Sequence, residues 1–143
     1  MNIKITTTLL FCLLHVATVI GQHKAVGTWI TKDDETGEEK SLIEIYEENG
    51  KYYGKIIELL LPVPTTICGH CKGTKKDQPL IGLVVIEDMT QKGKHLSGGT
   101  IMDPKNGKVY KCKITPKGDD KLKLRGYIGI QALGRNQVWT RKG

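Results

Sequence analysis

Hydrophobic and polar residues alternate along several short stretches of the chain, which is the pattern of half-buried β-strands. In Val109–Ile114, the side chains of Tyr110, Cys112 and Ile114 fall on one face and lysines intervene. The segment 121–125 (KLKLR) repeats the alternation after turn residues at 116–119 (PKGD). The pattern predicts consecutive strands, each with one buried face and one solvated face.

Two turn sequences predict where the strands reverse. Asp103-Pro104 followed by Asn106-Gly107 forces a reversal between Met102 and Lys108, because these residues favour tight turns and positive φ. Asn49-Gly50 separates the runs 41–48 and 51–60 and is typical of two-residue hairpins. A helix competes for 56–61, but the tyrosine and isoleucine content favours a strand.

Further strands are predicted at 26–31, 80–87 and 137–141, although 83–89 could also begin a helical turn. Glycines in or beside strand-like runs, such as Gly98 and Gly99, permit the sharp bends of a closed sheet. Seven to nine short strands without a clear amphipathic helix indicate an antiparallel barrel or sandwich. We predict an all-β fold with a single antiparallel β-barrel of about eight short strands.

Residues 1–21 have the composition of a secretory signal peptide. Lys4 precedes an apolar core that includes the segment 9–14, and small Gly21 ends it before a candidate cut at Gln22. Threonines and His15 interrupt the core, which is also short for a membrane span. An uncleaved anchor and a lipoprotein are the alternatives, and Phe11 disfavours the second because a small residue is needed there. We expect an exported domain over residues 22–143, periplasmic or extracellular, with no membrane span.

The chain of 143 residues carries a formal charge of +7, of which the leader contributes one positive charge at Lys4. Lysines alternate with apolar residues along strands and form no basic run of the kind that binds nucleic acid. We therefore interpret them as a solvated face that protects sheet edges, with no nucleic-acid partner.

Three cysteines follow the leader, and two of them form the motif Cys68-Gly69-His70-Cys71 in a long connection without periodicity. A structural disulfide suits an oxidising compartment. Redox catalysis is an alternative, but that chemistry needs the first cysteine at a helix N-terminus. A third hypothesis is a metal site formed by the two cysteines with His70 or His95, although zinc needs four ligands. Cys112 is predicted to be a small buried residue.

No nucleophile elbow, phosphate loop or zinc-protease motif occurs, so no catalytic residue, metal or cofactor is predicted. Glu87 and Asp88, at a predicted strand end, are candidates for lining a pocket mouth. Arginines are of interest among so many lysines, because their planar fork bridges carbonyls, stacks on tryptophan or binds anions. Arg141 suits stacking near Trp29 or Trp139, while Arg125 and Arg135 suit either a structural or a ligand-binding role.

Two family resemblances cover nearly the whole of residues 22–143. Gly27-x-Trp29 in the first strand, with Arg141 near the end of the last, resembles the signature of lipocalins and related calycins. In that family an arginine packs over the tryptophan and closes the barrel, which implies structural roles for Gly27, Trp29, Trp139 and Arg141.

More closely, the chain resembles the exported bacterial family called domain of unknown function 2147. The matching residues are Gly27-x-Trp29, Tyr53–Ile56, Cys68-x-x-Cys71, Pro79–Gly82, Gly98–Ile101, Asp103, Pro104, Gly107, Lys108, Tyr110, Leu124–Tyr127, Leu133–Arg135, Trp139 and Arg141.

The resemblance implies a lipocalin-like barrel in a cell envelope without an established activity. We expect a non-enzymatic protein that holds a small apolar or amphipathic molecule, or a peptide, at the barrel mouth. Inward residues, taken to include Ile43 and Ile45, would bury the ligand, and an arginine would orient its polar end. The candidate ligand-binding residues are Tyr53, Tyr110, Arg125, Tyr127 and Arg135. The alternatives are a thiol or metal-dependent enzyme that uses Cys68 and Cys71, and a structural envelope protein that acts through surface contacts.

Overall fold

The computed structural model of the protein describes residues 21–143, so almost all of the predicted signal peptide lies outside the described residues. Eight antiparallel strands, each paired with the next along the chain, form a barrel, and pairing of the last with the first closes it. The fold prediction is confirmed. The strands are β1 (Gly27–Lys32), β2 (Glu39–Glu48), β3 (Lys51–Leu59), β4 (Val84–Lys92), β5 (His95–Met102), β6 (Val109–Lys117), β7 (Lys121–Tyr127) and β8 (Arg135–Arg141).

The up-and-down order gives the barrel two different ends. The connections 49–50, 93–94 and 118–120 are short and lie at one end, which we call the turn end. The connections 33–38, 60–83, 103–108 and 128–134 lie at the other, which we call the loop end. Two single turns of 3-10 helix, Gly73–Lys75 and Gln131–Leu133, occur in these longer connections. Within residues 21–143 no helix is long and apolar enough to cross a membrane.

The two predicted hairpins form as expected. Asn49 and Gly50 both adopt positive φ, at 52° and 78°, and Glu48 pairs with Lys51 across the turn. This conformation matches the right-handed twist of the paired strands. In the second hairpin, the Gly107 N–H donates to the Asp103 carbonyl at 2.7 Å. Turn chemistry therefore sets the register of both hairpins.

The prediction for the fourth strand is wrong in its bounds, and the helical alternative at 83–89 is also wrong. The strand starts at Val84, because Gly82 adopts φ 90° in a turn that buries Leu80 and Leu83. It continues to Lys92 through a bulge at Asp88, whose φ is 56°. The bulge breaks the alternation, so the apolar run in the sequence ends before the strand does.

The turn end is closed by Trp29 and Arg141. Trp29 is fully buried and donates from Nε1 to the Ala25 carbonyl at 2.8 Å. The Arg141 guanidinium lies over its ring, 4.3 Å from the centroid, and donates to the carbonyls of Lys24, Val26 and Asp119. One arginine therefore ties the segment before β1 and the β6–β7 turn to the last strand.

Inward side chains from all eight strands fill the barrel interior as one cluster. Ile43 and Ile45, which were expected to bury ligand surface, are only 5% and 1% exposed. They belong to the core in this conformation, and any ligand contact must lie nearer to the barrel rim. The side chains with essentially no exposure include Trp29, Ile45, Ile86, Met89, Leu96, Ile114 and Leu122.

Candidate functional site

Toward the loop end, on the side formed by β5 to β8, the fully buried core gives way to inward residues that are only half-buried. Cys112 and Leu124 are 1% and 3% exposed. Closer to the rim, the inward residues Ile101, Tyr110 and Gly126 are only half-buried. The candidate site lies where the buried core residues are followed by these half-buried inward residues.

Gly126 forms the floor between two of the predicted ligand-binding residues. It pairs with Cys112 on β6, two residues from Tyr110, and with Arg135 on β8. A Cβ atom at Gly126 would lie 3.6 Å from the Tyr110 Cβ and 3.9 Å from the Ile101 Cγ2, which is ordinary van der Waals contact. The missing side chain therefore leaves room at the rim, bounded by Tyr110 and Ile101.

Arg135 stands at the rim of this site. Its side chain is 82% exposed and bonds to the Asp34 carboxylate at 2.9 Å. Asp34 also accepts from the Gln137 side chain at 2.7 Å. Because an exposed ion pair contributes little free energy, the guanidinium can exchange Asp34 for an anionic ligand at small cost.

Two other tyrosines were expected to face inward, and this prediction is wrong. Tyr53 lies on the outer face of β3, where its ring stacks on Tyr46 and its hydroxyl donates to Asp88 at 3.2 Å. Tyr127 is paired with Lys111 on the outer face of β7. The phase of β3 decides which of two adjacent tyrosines points inward, and that residue is Tyr52, which is 5% exposed.

Arg125 has a structural position on the outer face of β7. Its Nε donates to the Gln131 carbonyl at 2.7 Å, and its remaining nitrogens donate to the Ala132 carbonyl and the Asn136 side chain. These bonds fold the 128–134 connection back along the barrel wall. The arginine is thus directed away from the rim site formed by Tyr110 and Gly126.

Cys68 and Cys71 form a disulfide, as predicted, and both are buried. The loop that they close packs on the β5–β6 turn, where a Cβ atom on Gly107 would overlap the His70 carbonyl. Cys71 Sγ also lies 3.3 Å from Met102 Sδ. The disulfide therefore fixes the 60–83 connection against the neighbouring hairpin.

The surroundings of this disulfide disfavour thiol chemistry. Exchange requires an accessible sulfur, and the sulfurs here belong to residues that are 1% and 2% exposed. The 3-10 turn that follows, Gly73–Lys75, is too short to supply a helix dipole. Sulfurs bonded to each other are not thiolate ligands, and within residues 21–143 no three metal-binding side chains cluster.

Reduction of the disulfide is expected to lower the free energy of unfolding by about 2 kcal/mol, because the bond closes only a small ring. Urea unfolding with and without reductant measures this loss. The variant Cys112→Ala should keep the response to reductant, and the double variant Cys68→Ala, Cys71→Ala should lack it. A response that disappears in Cys112→Ala would contradict the assignment.

Cys112 is a free thiol in the core, as predicted. Burial raises the pKa of its thiol to about 12, so the neutral form persists at physiological pH. Trp139 is also buried, at 2% exposure, and its Nε1 donates to the Gln137 side chain. Both residues therefore support the barrel wall beneath the rim site.

Two open clefts flank an ion pair on the outer surface. Lys75 Nζ lies 2.8 Å from a Glu87 carboxylate oxygen, and clefts of about 350 and 370 Å³ lie on either side. Glu87 lines both clefts, whereas Asp88 contacts Lys51 and Tyr53 instead. The clefts lie outside the barrel and are separate from the rim site.

Comparison with known proteins identifies the family. Residues 27–141 match the bacterial family described as "uncharacterized protein conserved in bacteria" (DUF2147). The chain belongs to the DUF2147 family. A search among curated proteins found no match. A solved structure similar to this barrel is protein HP1028 from Helicobacter pylori, described as a member of the lipocalin family. It is 21% identical over 82% of each chain, with a TM-score of 0.73.

The role of Gly126 in the DUF2147 barrel was not predicted. Leu122 and Leu124 point inward, so the alternation predicts another inward side chain two residues later. The sequence has Gly126 at that position, and this is the signal that could have indicated the site. Strand pairing then places this gap beside Tyr110 and Arg135. Of the five predicted ligand-binding residues, the structure brings these two to one site and leaves Tyr53, Arg125 and Tyr127 outside it.

Proposed function

We propose that this protein is an exported, non-enzymatic barrel that binds a small amphipathic molecule with an anionic head at its loop end. The observation that carries the proposal is the half-open inward layer of Ile101, Tyr110 and Gly126 above a sealed core. An apolar chain would lie against Tyr110 and Ile101 in the space beside Gly126. Arg135 would pair with the anionic head in place of Asp34.

The shallow depth of this layer limits the ligand. Because Cys112 and Leu124 close the barrel below it, only part of an apolar chain can be buried. At about 25 cal/mol per Å² of apolar surface, partial burial supports modest affinity, in the micromolar range. The site therefore suits a ligand that is taken up and released reversibly.

Export is the second part of the proposal. The signal-like composition of residues 1–21 supports it, and so does a disulfide, which persists in oxidising compartments. The lipocalin description of the similar H. pylori barrel supports a binding role of this general kind. N-terminal sequencing of protein secreted by its host cell would test the predicted cut before Gln22.

The substitution Gly126→Leu tests the rim site directly. Its side chain should fill the space beside Tyr110 and weaken binding of the fluorescent amphiphile 11-(dansylamino)undecanoic acid by about tenfold or more. Fluorescence titration of the purified protein measures the change. Arg135→Gln should weaken binding of this anionic probe by about fivefold and leave binding of its methyl ester unchanged.

Gly82→Leu provides a control for the Gly126 variant, since Gly82 lies beside an outer cleft and has open space around it. Because Gly82 adopts positive φ, this control must first be shown to remain folded. Equal binding by the wild type and Gly126→Leu would contradict the proposal. Binding of the probe that is lost only in the Gly82 variant would instead assign it to the outer cleft.

A further inference from the structure

Strand pairing gathers lysines that are dispersed in the sequence onto one wall of the barrel. The outer faces of β6 and β7 pair Lys117 with Lys121, and Lys113 with Arg125. We call the lysines of this wall the cationic flank, which consists of Lys111, Lys113, Lys117, Lys121 and Lys123. Like charges directly opposite each other destabilise a sheet, so the flank is unfavourable for the isolated barrel.

The cationic flank has no internal neutralisation. Strands β6, β7 and β8 contain no acidic residue, and within residues 21–143 no flank lysine forms an ion pair with a carboxylate. Asp119 and Asp120 lie at the turn end, where Asp119 pairs with Lys24 at 3.2 Å. The flank therefore presents its charge to solvent along the length of two strands.

The opposite wall of the barrel has different electrostatics. There, lysines pair with carboxylates on adjacent strands, as in Lys55 with Glu44 at 3.3 Å and Lys51 with Asp88 at 3.9 Å. Glu47, Glu48 and Glu58 add further negative charge on β2 and β3. The net positive charge of the chain is thus concentrated on one side, which orients the barrel in the field of a charged surface.

Exposed aliphatic side chains lie at the loop end of the same wall. In the 128–134 connection, Ile128, Ile130 and Leu133 are 68%, 62% and 78% exposed. Arg125 holds the backbone of this connection against β7 through the carbonyls of Gln131 and Ala132. We call these three side chains the aliphatic tip, and its fixed backbone keeps it beside the cationic flank.

We propose that the cationic flank and the aliphatic tip form a docking surface for an anionic phospholipid bilayer. The flank supplies attraction to lipid phosphates, and the tip supplies apolar side chains that enter the interfacial region. A wall of lysines alone would suit any polyanion, but the adjoining aliphatic side chains favour a surface that has both phosphates and hydrocarbon. Docking would leave the rim site beside the membrane, where amphiphiles are found.

Vesicle flotation with the folded protein tests this proposal at low salt. We expect binding to vesicles of phosphatidylcholine mixed with phosphatidylglycerol, and little binding to phosphatidylcholine alone. The triple variant Lys111→Gln, Lys113→Gln, Lys123→Gln should weaken binding by about 100-fold, or about fivefold for each charge. The double variant Ile128→Ser, Leu133→Ser should weaken it by about tenfold.

Matched controls separate this surface from net charge and general hydrophobicity. The triple variant Lys51→Gln, Lys55→Gln, Lys92→Gln removes the same charge from the opposite wall and should change binding by about threefold or less. The double variant Val63→Ser, Ile81→Ser removes exposed aliphatics from the 60–83 connection and should have little effect.

Three outcomes would overturn the proposal. The first is absence of binding to the anionic vesicles. The second is an equal loss of vesicle binding in the triple variant of the cationic flank and in the control triple variant. The third is tighter binding to a double-stranded DNA oligonucleotide than to vesicles, with no effect of the Ile128 and Leu133 substitutions, which would assign the flank to nucleic acid. Circular dichroism of each variant establishes that it is folded.

Discussion

Replacing Trp29 by alanine is expected to lower the free energy of unfolding by about 3–5 kcal/mol, the range for removal of a fully buried large aromatic side chain. Trp29 is 0% exposed, and its ring supports the Arg141 guanidinium. The substitution also removes the Nε1 donor to Ala25. Urea unfolding followed by far-ultraviolet circular dichroism measures the loss without relying on tryptophan fluorescence.

Two further variants separate the contributions at the turn end. Trp29→Phe retains an aromatic ring in the core and should lose less stability than Trp29→Ala. Arg141→Lys retains the charge but lacks the planar fork that donates to Lys24, Val26 and Asp119, so it should still cost about 2 kcal/mol. A loss of unfolding free energy below about 1 kcal/mol for Trp29→Ala would contradict the role assigned to Trp29 in closing the turn end.

Replacing Gly99 by alanine is expected to have an effect of similar size, about 4 kcal/mol or more. The added Cβ would overlap the Glu87 carbonyl oxygen and would lie 2.7 Å from the Met89 amide nitrogen. Both are backbone atoms that flank the bulge at Asp88, so they cannot move aside as a side-chain end can. Thermal and urea unfolding of the purified variant measure the effect.

Gly126→Ala is the matched control for Gly99→Ala. Both glycines pair with Cys112 from adjacent strands, on the inward face, but a Cβ at Gly126 meets only ordinary contacts at 3.6–3.9 Å. This variant should be as stable as the wild type, or more stable by up to about 1 kcal/mol. If Gly99→Ala and Gly126→Ala were equally stable, the close approach of β4 and β5 would be contradicted.

The parts of the fold that local chemistry determines were predictable. The Asn49-Gly50 turn, the Asp103 to Gly107 turn and the alternation in β6 and β7 each fix a register within a few residues. The disulfide followed from two nearby cysteines in a connection that needed fixing. In these segments the sequence pattern and the three-dimensional contacts agree.

Features that depend on pairing between strands were not predictable from local patterns. The turn at Gly82 displaces the start of β4 from 80 to Val84, and the bulge at Asp88 breaks the alternation within the strand. The phase of β3 decides that Tyr52 points inward and Tyr53 outward, and both choices satisfy the local sequence equally well. The cationic flank was missed for the same reason, since lysines spaced along the chain become neighbours only when β6 pairs with β7.

The candidate site was predicted in part. Tyr110 and Arg135 were chosen for their chemistry, and the structure places both at the loop end beside Gly126. Arg125 was an equally reasonable choice, but it bonds to the 128–134 connection on the outer wall. Residue type alone does not distinguish an arginine that binds backbone carbonyls from one that remains exposed at a rim.

Titration of the isotope-labelled protein with 11-(dansylamino)undecanoic acid, followed by amide NMR shifts, tests whether the ligand site lies at the loop end of the barrel. We expect saturable shift changes concentrated at Ile101, Tyr110, Gly126 and Arg135, with the amides of Ile43 and Ile45 little changed. Changes confined to the outer clefts beside Lys75 and Glu87, or no saturable changes at all, would contradict a ligand site at the loop end of the barrel.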